Sequence, residues 1–111
     1  MTKVYVTQET NLDFTPALSF GEVEFITRDE LSPMQNSIRN EVTIDQIRHA
    51  MSKFNPDEDY IVIAGSPYVA AVVFYVLGRY RRVRYIRMLR WSNRDRMYSP
   101  LIVDIGDSKY E

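Results

Sequence analysis

Cysteine is absent from the chain. That excludes disulfides, thiolate-ligated zinc, iron–sulfur clusters and thiol nucleophiles. A single histidine rules out a multi-histidine metal site and weakens any Ser-His-Asp triad. Only four glycines are present, and none forms a G-x-G-x-x-G or Walker-type loop. Lysine is missing between residues 54 and 108. Carboxylates offer little chemistry. Asp57, Glu58 and Asp59 precede a strand, and Asp104 with Asp107 makes a poor hard-cation site without a third ligand. No nucleophile–base pair stands out, so the sequence points to a protein that is not an enzyme, with no cofactor.

What remains is ordinary for a folded protein: 111 residues, 45% hydrophobic and 26% charged. This predicts one domain over 1–111. The first residues show no basic stretch followed by an apolar run, so no signal peptide is expected. The net charge of −1 conceals an asymmetry. Residues 1–60 carry five basic and eleven acidic side chains, and residues 61–111 carry nine and four. Eight of those nine basic residues are arginines between Arg79 and Arg96, opposed there only by Asp95. Such polarity suggests an anionic partner, or mutual neutralisation of the two halves.

Local patterns predict the elements. Lys3 to Thr7 alternates, with Val4 and Val6 on one face, and reads as a strand. Pro16 to Phe20 reads as a helical turn. Glu22 to Thr27 reads as an edge strand, its glutamates facing water. Residues 28–41 form a long loop. Thr43 and Gln46 suggest a capping box that opens a helix with a stripe of Ile44, Ile47, Met51 and Phe54, ended by Asn55-Pro56. His49 lies off that stripe, as an exposed residue. Tyr60 to Ala64 has the continuous β-branched run of a strand buried on both faces. Ser66 and Pro67 cap a second, nearly all-apolar helix from Tyr68 to about Leu77, with Gly78 as its stop. Residues 82–90 and 100–105 form a final hairpin with its tip at 91–96.

This order predicts an α/β fold. It is a minimal Rossmann-like layered domain, with a mainly parallel sheet of about five strands and a C-terminal antiparallel hairpin at about 79–105. The 60–64 strand belongs in the middle, the 22–27 strand at one edge and the hairpin at the other. The expected core comprises Val4, Val6, Phe25, Ile47, Met51, Phe54, Ile61, Val62, Ile63, Val69, Val72, Val73, Val76, Val83, Tyr85 and Val103. A rival is a membrane span over 60–78, which is uncharged and flanked by acids before and arginines after. The Gly65-Ser66-Pro67 junction argues against it.

Several segments carry a family resemblance: Lys3-Val-Tyr-Val, Leu12-Asp-Phe-Thr-Pro-Ala-Leu-Ser-Phe-Gly-Glu-Val, Asn55-Pro-Asp-Glu-Asp-Tyr-Ile-Val-Ile-Ala-Gly-Ser, and Leu77-Gly-Arg79 before a strand. Through them nearly the whole chain resembles small accessory proteins of tailed bacteriophages without an assigned activity. The resemblance implies a viral protein in the cytoplasm of the infected bacterium and brings no catalytic residues. The chain departs from that set at 80–98, where its arginine-rich hairpin is longer.

Two candidate sites follow. The first is the hairpin, with Arg82, Arg84, Arg87, Arg90, Arg94 and Arg96 beside Tyr85 and Trp91. Guanidinium forks match phosphate oxygens and aromatic rings stack on exposed bases, so the expected partner is nucleic acid. As a strand, Arg82, Arg84 and Arg90 would share one face and Tyr85, Arg87 and Trp91 the other. The alternatives are a host or viral protein partner, pairing with the chain's own acidic half, or a second subunit in a homo-oligomer. The second site is a strand-end crevice of Thr7, Gln8, Thr27, Arg28, Gly65 and Ser66, where a nucleotide could be bound or sequestered. The competing reading of that junction is a well-capped core helix.

Overall fold

The computed structural model describes residues 1–106. It is an α/β arrangement of five strands, two α-helices and one 3-10 turn: β1 (Lys3–Gln8), η1 (Thr15–Ser19), β2 (Glu22–Thr27), α1 (Ile38–Ser52), β3 (Tyr60–Val62), α2 (Pro67–Tyr80), β4 (Tyr85–Ser92) and β5 (Met97–Asp104). The sheet order is β2-β1-β3-β4-β5. The first four strands are parallel, and β5 returns antiparallel to β4.

Crossover handedness explains the layering. The step from β1 to β2 moves one way across the sheet, while β2 to β3 and β3 to β4 move the other. Right-handed crossovers then place η1 on one face and both helices on the opposite face. The cores divide accordingly. Tyr5, Ile26 and Ile61 pack under Ile47, Met51 and Phe54 of the α1 segment and Val69, Val73 and Leu77 of α2. Val4, Val6, Val62 and Leu89 pack under Phe14 and Ala17 at η1. Burying each large aliphatic side chain contributes roughly 1.5–3 kcal/mol. The likeness to a Rossmann sheet ends there, because one face has only a 3-10 turn for cover and β5 is antiparallel.

Several expectations need correction. β1 is buried on both faces rather than alternating, because it lies between two strands with cover above and below. α1 starts at Ile38, so Thr43 is not its cap. The Thr43 hydroxyl, buried inside the helix, donates to the Arg39 carbonyl one turn back. The Thr27 hydroxyl donates to Oε1 of Gln46 instead of Gln46 turning back to a cap. α2 does run from the Ser66 cap with Pro67 in its first turn, Ser66 Oγ accepting from the N–H groups of Tyr68 and Val69 at 3.2 and 3.4 Å. Gly78 does not stop it. Space beside Gly78 is open, and the helix continues to Tyr80. The left-handed residue is Arg82, at φ 49°, and the Leu77 carbonyl accepts from the N–H groups of both Arg81 and Val83 around it.

α2 is one-sided rather than enclosed, with Tyr68 and Tyr75 exposed. β3 ends at Val62, so Ile63 is exposed. Phe25, Tyr85 and Val103 are exposed as well, and Val72 and Val83 are only partly buried. Tyr85 and Val103 miss the core because the hairpin extends past both cores, and within it only Leu89 is buried. Among the described residues no helix is long and apolar enough to cross a membrane.

β5 leaves one sheet edge open. The Ile105 N–H donates to the Arg84 carbonyl, and register pairs Leu89 with Pro100. Hydrogen-bonded and non-hydrogen-bonded pairs alternate along an antiparallel ladder. Leu89 and Pro100 are therefore a non-hydrogen-bonded pair, and the position where Pro100 lacks an N–H faces outward. The open edge is broken at its centre, which hinders strand addition by another chain.

Candidate nucleic-acid interface

The eight arginines do not form one surface. Three serve the fold. Arg81 donates to the Met51 carbonyl at the end of α1. Arg84 Nε donates to Asp104 Oδ1 at 2.9 Å across the base of the hairpin. Arg87 Nη2 donates to the Tyr60 hydroxyl at 2.9 Å, and its guanidinium carbon lies 4.6 Å from the centre of that ring. Its Nε is buried without a hydrogen-bond partner among the described residues. Arg82 and Arg84 precede β4, so the face alternation expected from residue 82 begins only at Tyr85. Leu89 reaches the core on the η1 side, which puts Tyr85, Arg87 and Trp91 on that side and Ile86, Met88 and Arg90 on the other.

The tip is different. Arg90 begins the exposed end of β4 beyond Leu89, and Arg94 and Arg96 lie in the 93–96 turn, where Arg96 takes φ 50°. None of the three pairs with a carboxylate among the described residues. The local acid, Asp95, is engaged with Ser92. The Ser92 hydroxyl donates to Asp95 Oδ2, and the Asp95 N–H donates to Ser92 Oγ at 3.1 Å. Trp91 meets Tyr98 of β5 edge-to-face, with ring centres 4.9 Å apart, and its Nε1–H donates to Asn93 Oδ1 at 3.0 Å. Burial, and secondarily the Asp13 carboxylate, hold the Tyr98 hydroxyl above the usual phenol range.

The hairpin tip and the strand-end crevice share the C-terminal edge of the parallel strands. The crevice lies where β1 and β3 send their connections to opposite faces, the position at which open α/β sheets hold ligands. Its polar groups are bound to one another. Thr7 Oγ1 donates to the Ala64 carbonyl at 2.9 Å and accepts from the Ala64 N–H at 3.0 Å. Gln8 Oε1 accepts from the Ser66 N–H at 2.7 Å, while Gln8 Nε2 donates to the Asp29 carbonyl at 3.0 Å. Thr27 holds Gln46, and Arg28 pairs with Glu9 at the surface. Beside these bonds lie a cleft of about 380 Å³ lined by Thr27 and Arg28 and one of about 630 Å³ lined by Ser66 and Pro67. Asp104 is engaged by Arg84, and Asp107, its suggested companion on a cation, lies outside the described residues.

Sequence reasoning missed Leu12, Phe14, Asn93 and Tyr98, which border Trp91 in a cleft at this edge. Leu12 and Phe14 come from the loop before η1, and nothing local marks that loop as a neighbour of β4. Tyr98 was legible in principle, because a hairpin of this register places it opposite Trp91.

A family model described as phage Pam3 gp32-like protein matches residues 2–105. No curated protein and no solved structure matches the chain.

Proposed function

Since the chain belongs to the phage Pam3 gp32-like protein family, and so is a phage accessory protein, we propose that it acts without catalysis inside the infected bacterium, as a single domain that binds nucleic acid through its hairpin tip. The observation that carries this reading is the set of Arg90, Arg94 and Arg96. Arg90 and Arg94 line a cleft with Trp91, Arg96 lies in the same turn, and none of the three has a carboxylate partner among the described residues. Cations free of internal partners can exchange their counterions for phosphates, and an adjacent ring offers a stacking surface. Arg82, Arg84, Tyr85 and Arg87 lie nearer the hairpin base and contribute less, since Arg84 and Arg87 are held by Asp104 and Tyr60.

The test is salt-dependent binding. Single-stranded DNA or RNA should bind with log affinity falling linearly against log salt. Changing Arg90, Arg94 and Arg96 together to alanine should make that slope shallower by roughly 2, at about 0.7 for each phosphate that is no longer neutralised. The weakening should be similar for all sequences, because phosphate recognition carries no sequence information. Absence of salt-sensitive binding to any DNA or RNA at micromolar concentration would overturn the reading.

A specific observation favours one other reading. The helix-side face of the hairpin is uncovered, and Met97, Leu101 and Val103 are exposed there. A host or viral protein, or a second copy of the chain, would bury that face. In that case association would survive the triple arginine change and fail with Leu101→Ser.

A further inference from the structure

On the η1 side of the sheet, at its C-terminal edge, lies a cleft of about 330 Å³ that phosphate binding leaves unused. Its walls are mostly apolar: Leu12, Phe14, Ile63, Leu89, Trp91 and Tyr98. A second cleft of about 370 Å³ adjoins it on the helix side and is polar, lined by Arg90, Ser92, Arg94 and Ser99. Trp91 and Asn93 border both. An apolar slot and a cationic cleft therefore meet across one indole, which the Asn93 hydrogen bond holds in place.

We propose that the two clefts together hold one nucleotide unit of a single strand, with an unstacked base in the apolar slot and its flanking phosphates on Arg90 and Arg94. This rests on the nucleic-acid reading and narrows it to single strands. A base has two apolar faces and a charged backbone attached at one edge, and the paired clefts offer those two environments side by side. The polarity is fixed by charge. Arg90 and Arg94 line the second cleft and no cationic side chain lines the slot, so a phosphate is directed to the arginine side. A duplex keeps its bases stacked and paired, so filling the slot from a duplex requires flipping a base out.

Trp91 is the only tryptophan in the chain, so its fluorescence reports on the slot directly. The probes are a short oligothymidylate, an abasic oligomer of the same length and charge, and a blunt duplex. Oligothymidylate is expected to change Trp91 emission and to bind about tenfold or more tighter than the abasic oligomer, as base stacking on an aromatic ring predicts. Leu12→Ala should weaken oligothymidylate several-fold and leave the abasic oligomer unchanged. Leu12 is 67% exposed, so its loss spares the fold, and an unchanged thermal midpoint confirms that. Equal, salt-dependent affinity for ordinary and abasic oligomers with unchanged Trp91 emission would overturn the slot while leaving phosphate binding in place. Duplex binding as tight as oligothymidylate would also overturn it. Failure of every probe to bind would remove the underlying reading as well.

Discussion

Replacing Gly65 with alanine is expected to lower the free energy of unfolding by about 2–5 kcal/mol. Gly65 sits at φ 74°, where a Cβ alone costs roughly 1–2 kcal/mol. That Cβ would also land on Gln8 Oε1 and come within 3.0 Å of the Gln8 Cβ and Cδ. Gln8 cannot simply swing aside. Its amide bridges the Ser66 N–H and the Asp29 carbonyl, and leaving a buried donor unpaired costs about 1–3 kcal/mol. Urea denaturation of the single and double variants checks this. In the Gly65→Ala/Gln8→Ala pair the collision with Oε1 and Cδ disappears, leaving the backbone strain, the missing bridge and the 3.0 Å approach to the residue-8 Cβ, so the two changes should cost less together than their sum. A Gly65→Ala protein within about 0.5 kcal/mol of the parent would refute the close approach.

The second large effect is expected at Thr7. Thr7→Val preserves shape and removes one oxygen, yet should cost about 2–4 kcal/mol. The paired register of β1 and β3 ends at Val6 and Val62. Beyond it the Thr7 hydroxyl serves both the N–H and the carbonyl of Ala64, and Thr7 is fully buried. Valine would leave two backbone groups buried without partners. Thr7→Ser keeps the hydroxyl and should lose only about 1 kcal/mol, from the missing methyl. Equal destabilisation by serine and valine would show that packing, not the hydroxyl bridge, sets the effect.

These two residues show where the sequence is readable. The Gly65-Ser66-Pro67 junction, the buried β3 run and the Glu22–Thr27 edge strand all follow from local rules of capping, branching and alternation. The sheet order and the terminal hairpin follow from the element order. Thr7 and Gln8 lie at the C-terminal end of β1, as the element order implies. Their work is nonetheless bonding across to the junction after β3 and to the Asp29 loop, with the junction partners Ala64 and Ser66 57 and 58 residues away. The start of α1 misleads for a related reason. Thr43 and Gln46 match a capping box, but Thr43 bonds back to Arg39 within the helix and Thr27 of β2 claims Gln46, while Ser37 takes the cap position with its backbone and no side-chain bond. At the hairpin, arginine count is legible and arginine availability is not. Only the fold reveals that Arg81, Arg84 and Arg87 are engaged, and that Arg90, Arg94 and Arg96 meet no carboxylate among the described residues.

The overhang of the hairpin has a dynamic consequence. β4 joins the parallel strands through a single paired position, Ile61 with Met88, and sinks one residue, Leu89, into the core. Every β4–β5 partner, by contrast, is local in sequence and closed by one short turn. Such a unit zips early, since its loop-closure cost is small, and it can detach without melting what it leaves. Amide exchange along 85–104 should therefore report an opening cheaper than global unfolding, with β1 and β3 exchanging last. A strand of nucleic acid seated at the tip would slow that exchange across the whole ribbon, including residues it never touches.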